Sequence, residues 1–323
     1  MGPSSPRRKP RLDKPERKVA AFGVSGPVAT GNRDDSVYAF HSEWERAPQS
    51  TPAGTTILAV GDVHGCTGHL DAMVGLLGRI HAQARDRGRR GELVMVGDYV
   101  DRGPDSLGVL ERLGKGIGAA LNLPVHLLLG NHDQLLAACL NTMPTPEIME
   151  LWFENGGHTT MAECGIGPED VVADPAEVAA RLRARLGPEG IRVLRELAHT
   201  WRCGGYLFVH GGVDPSRALE AHSVTELVWM REPFLAGEGW RHPFAVVHGH
   251  TPSVPEVLPH RIAIDSGCFL TGVLTAVELA DDRLRFHCVA RDPDLHELHD
   301  LLGPGQERRW SGPHPVGTHL PTP

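Results

Sequence analysis

Apolar residues in this chain come in short runs rather than long stripes. Residues 56–60, 93–96, 125–129, 206–209 and 244–247 are continuous apolar or near-apolar stretches of strand length, and they predict buried strands. Each runs into a Gly-Asp, Gly-Asn or His-Gly pair. Between the first two, Met73, Val74, Leu77 and Ile80 recur at helical spacing, as do Leu107, Leu110 and Leu113 farther on. Strand and helix therefore alternate in the first half, which predicts a mainly parallel sheet with polar loops at the carboxyl ends of its strands, where such folds bind ligands.

Residues 134–200 break that rhythm. Asp174, Pro175 and Glu177 supply an N-cap, a proline at the first helical position and a capping-box acid, followed by Val178, Leu182 and Leu186 on one face. This predicts a helical insertion. Later, residues 261–265, 272–279 and 283–289 have strand character, the last two forming a hairpin through Asp281 and Asp282. Residues 1–50 and 303–323 are rich in Pro, Gly and charge without steady periodicity, so both ends are expected to be loose, leaving residues 51–302 as the folded domain.

Composition narrows the function. Of 323 residues, 41% are hydrophobic, and no apolar run approaches the roughly 20 residues of a membrane span, so no membrane partner is expected. The net charge of −8 argues against a general nucleic-acid binder, but residues 1–18 hold seven Lys or Arg against Asp13 and Glu16. That basic arm is expected to be a solvated tail, with weak anion contacts as its alternative use. Six scattered cysteines without a CxxC pair suit a reduced, cytoplasmic compartment.

The chemistry sits at the strand ends. Gly61-Asp62-Val63-His64-Gly65, Gly97-Asp98-Tyr99-Val100-Asp101-Arg102-Gly103, Gly130-Asn131-His132-Asp133, His210-Gly211-Gly212 and His248-Gly249-His250 each follow an apolar run. Singly, each is an ordinary turn; together they collect carboxylate, imidazole and amide oxygen, the donors that suit Mn²⁺, Fe²⁺ or Zn²⁺. Asp62 and His64, two residues apart, are placed to chelate one ion, and Asp98 to bridge to a second held by Asn131.

With these blocks and Asn155-Gly156-Gly157, Trp229-Met230-Arg231-Glu232-Pro233-Phe234, His250-Thr251-Pro252 and Ile264-Asp265-Ser266-Gly267, the chain resembles the calcineurin-like metallophosphoesterases over residues 55–289. It is most similar to their phosphoprotein phosphatase branch, in the group of bacterial serine/threonine phosphatases and symmetrical dinucleoside tetraphosphatases. The resemblance implies an α/β fold, an αββα sandwich, around two divalent ions, with Mn²⁺ expected and Fe²⁺ or Zn²⁺ as alternatives. Asp62, His64 and Asp98 would hold one ion, and Asp98, Asn131, His210 and His250 the other. His132 would be the general acid oriented by Asp101, and Arg102 and Arg231 would bind substrate phosphate. His248 is expected to be structural.

The resemblance also implies attack on phosphorus by a metal-bridging hydroxide, without a phospho-enzyme. Two divalent ions outweigh Asp62, Asp98 and one hydroxide, and the arginines add to that excess, so an anionic phosphoester is drawn to an otherwise acidic protein. The expected activity is hydrolysis of phosphomonoesters, with a phosphorylated protein as leading substrate and a small phosphoester, a dinucleoside tetraphosphate cleaved symmetrically, as the alternative. A non-catalytic phosphate-binding scaffold would lack a ligand or the acid, and none is missing. One departure is Asp133, where the family has Glu; its shorter side chain is expected to alter a contact near Arg102. Tyr99, Val100, Trp152, Trp201, Trp229 and Trp240 are expected to pack, Cys66 and Cys268 to be small buried hydrophobes with oxidation sensing beside the site loops as the alternative, and histidines such as His69 to bind no metal.

Overall fold

The computed structural model describes residues 37–141, 144–291 and 310–315. Its strands are β1 (Val37–Ser42), β2 (Glu45–Arg46), β3 (Thr55–Val60), β4 (Arg90–Met95), β5 (Val125–Leu127), β6 (Thr200–Cys203), β7 (Tyr206–Val209), β8 (Ala245–His248), β9 (Glu256–Leu258), β10 (Arg261–Ala263), β11 (Val273–Ala280), β12 (Arg283–Arg291) and β13 (Trp310–Pro315). They make two sheets. The first runs β13-β1-β12-β11-β3-β4-β5, with β2 paired to β12, and the second runs β6-β7-β8-β10-β9.

Side-chain alternation along the strands explains why the sheets stack. In β3, Ile57 and Ala59 point toward the second sheet and pack with Tyr206, Phe208, Val247 and Ile262. Their neighbours Leu58 and Val60 point the other way, onto the helical layer, with Leu70, Met73, Leu76 and Leu77 of α1 (Thr67–Asp86). In β7 the same division sends Leu207 and Val209 outward against Val213, Leu227 and Phe234. Strands covered on both faces have no reason to alternate apolar and polar residues, which is why they appear as unbroken runs. The result is an αββα sandwich.

Helices α2 (Ser106–Lys115) and α3 (Ile117–Leu121) precede β5. After β5 come α4 (Asn131–Cys139), α5 (Pro146–Trp152), a π-helical turn (Phe153–Gly157), α6 (His158–Glu163), α7 (Pro168–Ala173) and α8 (Pro175–Glu196). This is the expected helical insertion, and the Asp174 side chain does cap α8, accepting from the N–H groups of Ala176 and Glu177. The helix is not continuous, however: Gly187 sits at φ 64° ahead of Pro188 and breaks it. A 3-10 turn (Leu219–Ala221) and two short helices, α9 (Val224–Trp229) and α10 (Cys268–Thr271), complete the described chain. Among the described residues, no helix is long and apolar enough to cross a membrane.

Two expectations need correction. The sheets are mixed, not mainly parallel: β3, β4 and β5 run parallel, as do β7, β8 and β10, but the hairpin of β11 and β12 adds antiparallel to β3. The ends also contribute to the fold. Residues 37–42, within the expected loose N-terminal segment, pair with β12, and residues 310–315, within the expected tail, pair with β1. Both strands depend on partners far away in sequence, so local composition did not betray them. The basic segment 1–18 and residues 316–323 lie outside the described residues.

Candidate metal centre

The carboxyl ends of β3, β4, β5, β7 and β8 lie along one edge where the two sheets meet, and each supplies site residues from its following turn. These turns are tight. Among the described residues, seven non-glycine residues have positive φ, and five of them are His64, Asp98, Asp101, Arg102 and His250. Backbone strain of this kind persists only when surrounding contacts over-determine it, and it concentrates at functional sites. Gly130 and Gly249 complete the cradle, since a Cβ at either would collide with the carboxylate of Asp98 or Asp62 respectively.

Asp62, His64, Asp98, Asp101, Asn131, His132, His210 and His250 are all buried and come together as expected. Their hydrogen bonds are arranged so that lone pairs face one another. His64 donates from Nδ1 to the Val100 carbonyl at 2.8 Å and His210 from Nδ1 to the Val96 carbonyl at 3.0 Å, so each directs Nε2 inward. The inward nitrogens meet acceptors: Asp98 Oδ2 is 3.5 Å from His64 Nε2 and 3.3 Å from His210 Nε2, and Asn131 Oδ1 is 3.0 Å from His210 Nε2. His250 Nδ1 lies 2.8 Å from the same amide oxygen. Asp62 Oδ1, His132 Nε2 and His250 Nε2 are buried with no protein partner.

Such a crowd of acceptors is stable only around positive charge. Two donor triplets stand out, His64 with Asp98 and His132, and Asp98 with His210 and His250, and Asp98 belongs to both. That shared carboxylate fits a pair of bridged divalent ions. Asp62 stands slightly apart, with Oδ2 held by the His250 N–H at 2.9 Å and Oδ1 3.9 Å from His210 Nδ1.

Electrostatics agree with this reading. Burial, aided by His132 and Arg102 against the pull of Asp98, lowers the His64 pKa to about 3. Burial, with His210 and Arg231, lowers that of His250 to about 2. Both imidazoles are therefore neutral donors at any working pH. His210 is the exception: burial would lower its pKa, but the charge and hydrogen bond of Asp98 outweigh that and raise it, so that a proton provides the charge a cation would otherwise bring. Burial, then Asp265 and Asp98, pushes Asp62 well above the usual carboxylate range.

The helical insertion closes the back of the site. His132 Nδ1 donates to Asp101 Oδ2 at 2.8 Å, and the fully buried Asp101 also accepts from Trp152 Nε1 at 2.8 Å and from Thr160 Oγ1 at 2.7 Å. Trp152, expected only to pack, thus holds Asp101 in place as well. Its signal in the sequence was a lone indole donor among apolar neighbours, which does not reveal its partner. Asp265, in the Asp-Ser-Gly turn after β10, is buried against Asp62; its position after an apolar run was the same cue that marked the other site carboxylates.

Arg102 lies at the front, with Nη1 3.0 Å from His64 Nε2 and its guanidinium 5.0 Å over the Phe269 ring. Arg231 presents exposed surface, but partial desolvation and then the Arg102 charge lower its pKa, so the two guanidinium groups lie near one another. His248 turns away: its Nδ1 is 2.9 Å from the Gly249 carbonyl and its ring packs edge-on against Phe234, as expected for a structural residue. Asp133 departs from expectation. Instead of reaching toward Arg102, its carboxylate accepts the N–H groups of Asp98, Tyr99 and Gly130 at 2.8, 3.0 and 2.9 Å, tying the turn after β4 to the start of α4.

The calcineurin-like phosphoesterase family matches residues 55–269. The symmetrical bis(5'-nucleosyl)-tetraphosphatase of Nitrosomonas europaea is 41% identical over 272 residues, an alignment spanning 70% of this chain and 96% of its own length. The asymmetrical bis(5'-nucleosyl)-tetraphosphatase of Oceanobacillus iheyensis is 27% identical over 230 residues, 67% of this chain and 86% of its own. Among solved structures, the cold-active protein-tyrosine phosphatase of a psychrophilic Shewanella species aligns with 74% of this chain and 80% of its own at 19% identity and a TM-score of 0.46.

Two outcomes are expected from this geometry. Asp133→Ala leaves three buried N–H groups without an acceptor and is expected to cost at least about 3 kcal/mol in denaturant unfolding, at about 1 to 3 kcal/mol per orphaned group; a loss under 1 kcal/mol contradicts the clamp. The second concerns pH. Burial and then Asp98 raise the Asp133 pKa from 3.8 to about 7, so in metal-free protein the stability linked to its protonation is full below pH 3.8 and is lost as pH rises through about 7, while the N–H clamp itself remains. Divalent ions supply the opposing charge, so the rise in Tm on adding Mn²⁺ to chelator-treated protein should grow between about pH 5 and pH 7. A gain that shrinks over that window contradicts the assignment.

Proposed function

The chain belongs to the calcineurin-like phosphoesterase family, hydrolases whose members use a dinuclear divalent metal centre, and from that premise we propose that it hydrolyses dinucleoside tetraphosphates. What supports this substrate is the 41% identity to a symmetrical tetraphosphatase along nearly all of that relative's length. The phosphoprotein expected from the motifs has less behind it. With two divalent ions bound beside Arg102 and Arg231, the opening would carry excess positive charge in a chain of net charge −8, which suits a compact polyanion that brings several negative charges to one spot.

In this reading Asp62, His64 and Asp98 hold one ion, and Asp98, Asn131, His210 and His250 the other. Mn²⁺ is the proposed ion, since the donors mix imidazole with oxygen and include no thiolate. When bound, the ion pair supplies an activated water and stabilises charge on the attacking and departing oxygens. The protein's part is positioning and proton transfer. Arg102 and Arg231 grip phosphate oxygens at the opening, with Phe269 supporting the Arg102 guanidinium. Asp101 keeps a proton on His132 Nδ1 and, through Trp152 and Thr160, fixes the ring so that Nε2 faces the leaving oxygen and protonates it.

Product analysis tests the substrate. With Mn²⁺, a dinucleoside tetraphosphate should be cleaved with kcat/KM at least about 100-fold above that for a phosphoserine peptide, a preference of about 2.7 kcal/mol. Two nucleoside diphosphates mark symmetrical cleavage, whereas a mono- and a triphosphate would place attack as in the asymmetrical relative. Preference for the peptide overturns the proposal. His132→Ala is expected to lower kcat by about 10² to 10⁴ while metal analysis still finds two ions per chain. Loss of an ion would make His132 a ligand instead of the acid.

A further inference from the structure

A second donor cluster lies beside the metal centre without belonging to it. Cys66 Sγ, Cys268 Sγ and a His69 ring nitrogen all lie within 4.8 Å of one another. Cys66 is the N-cap residue of α1 and His69 stands one turn into that helix, while Cys268 opens α10. The two cysteines are buried and unbridged, their side chains hydrogen bond to one another, and His69 is partly exposed. Packing alone explains one buried cysteine, but it does not explain two thiols and an imidazole brought together from the first turn of α1 and the start of α10. The imidazole is also oriented: His69 Nε2 lies 2.9 Å from the Gly272 carbonyl, the kind of outer contact that fixes a metal-binding histidine and leaves its other nitrogen as the donor.

Two sulfurs and one imidazole are the donors of a soft, tetrahedral site, unlike the oxygen-rich set around Asp98. We propose that Cys66, His69 and Cys268 bind one thiophilic cation of the zinc class, with water as the fourth ligand on the partly exposed His69 side. Both thiol protons pass to solvent as the ion binds. Cys66 is two residues beyond His64 and Cys268 three beyond Asp265, so the bound ion ties together two turns that form the wall of the dinuclear centre.

Cobalt titration of the reduced full-length protein tests the site, because only a thiolate ligand gives the intense near-ultraviolet charge-transfer absorption that an oxygen and nitrogen centre lacks. One equivalent of this absorption should appear and be bleached by added zinc. Cys268→Ser, which leaves a single sulfur, should reduce it by at least about half at saturating cobalt. His69→Ala retains both sulfurs and disturbs only a partly exposed position; it should weaken cobalt binding, read from the same absorption, by at least about 10-fold. No absorption in the parent protein, absorption undiminished in Cys268→Ser, or peptide mapping that finds a Cys66–Cys268 disulfide in protein purified without reductant would each overturn the proposal.

Discussion

The site depends on one electrostatic constraint: Asp62, Asp98, Asp133 and Asp265 are buried within a small volume, and a buried carboxylate without compensation is costly. The protein compensates each differently. Asp133 receives three backbone N–H groups, Asp98 faces three imidazoles, and Asp62 and Asp265 lean on one another with raised pKa values. Asp98 alone is held below the usual carboxylate range, while Asp133, Asp62 and Asp265 keep raised pKa values, so charge is left unanswered around it. All three border Asp98, the carboxylate common to both donor triplets, so the deficit lies where divalent ions do most to relieve it.

The same constraint explains the backbone. A carboxylate and an imidazole on successive turns converge only if those turns are sharp, and a sharp turn at a residue with a Cβ carries strain. The structure holds the strain with contacts from outside each turn: Asp133 grips the Asp98 turn, and the Asp101 N–H donates to Ser106 and Thr160, which bond to each other. Thr160 comes from the helical insertion, as does Trp152. The insertion is thus part of the site's frame, and its sequence is constrained where it meets Asp101.

Much of this was legible in the sequence, for a physical reason. Strands buried on both faces must be apolar throughout, and the turns after them must carry glycine beside the functional group, so Gly61-Asp62 and Gly97-Asp98 announce both an element and a site. What stayed hidden depends on partners distant in the chain. Strand β1 becomes a strand by pairing with β12, roughly 250 residues away, and its own short apolar stretch is too brief to declare it. Trp152 reveals an indole donor but not the carboxylate it meets. Asp133 was visible as a departure from the family's Glu, yet which groups it touches depends on how closely the turns after β4 and β5 approach.

That approach also accounts for the shorter side chain. Gly130 lies so near Asp98 that there is no room for a Cβ, which brings the start of α4 directly against the Asp98 turn. An aspartate at the third position of that helix then spans to the N–H groups of Asp98 and Tyr99 while capping its own helix through Gly130. A glutamate in the same backbone has one more methylene to accommodate in a position with no exposed surface, and small-to-large changes in such packed sites force neighbouring groups to shift. Here the neighbours are Asp98, Tyr99 and Gly130, so the identity of residue 133 and the placement of the proposed ligand Asp98 are coupled. The substitution is best understood as part of how this chain sets that placement.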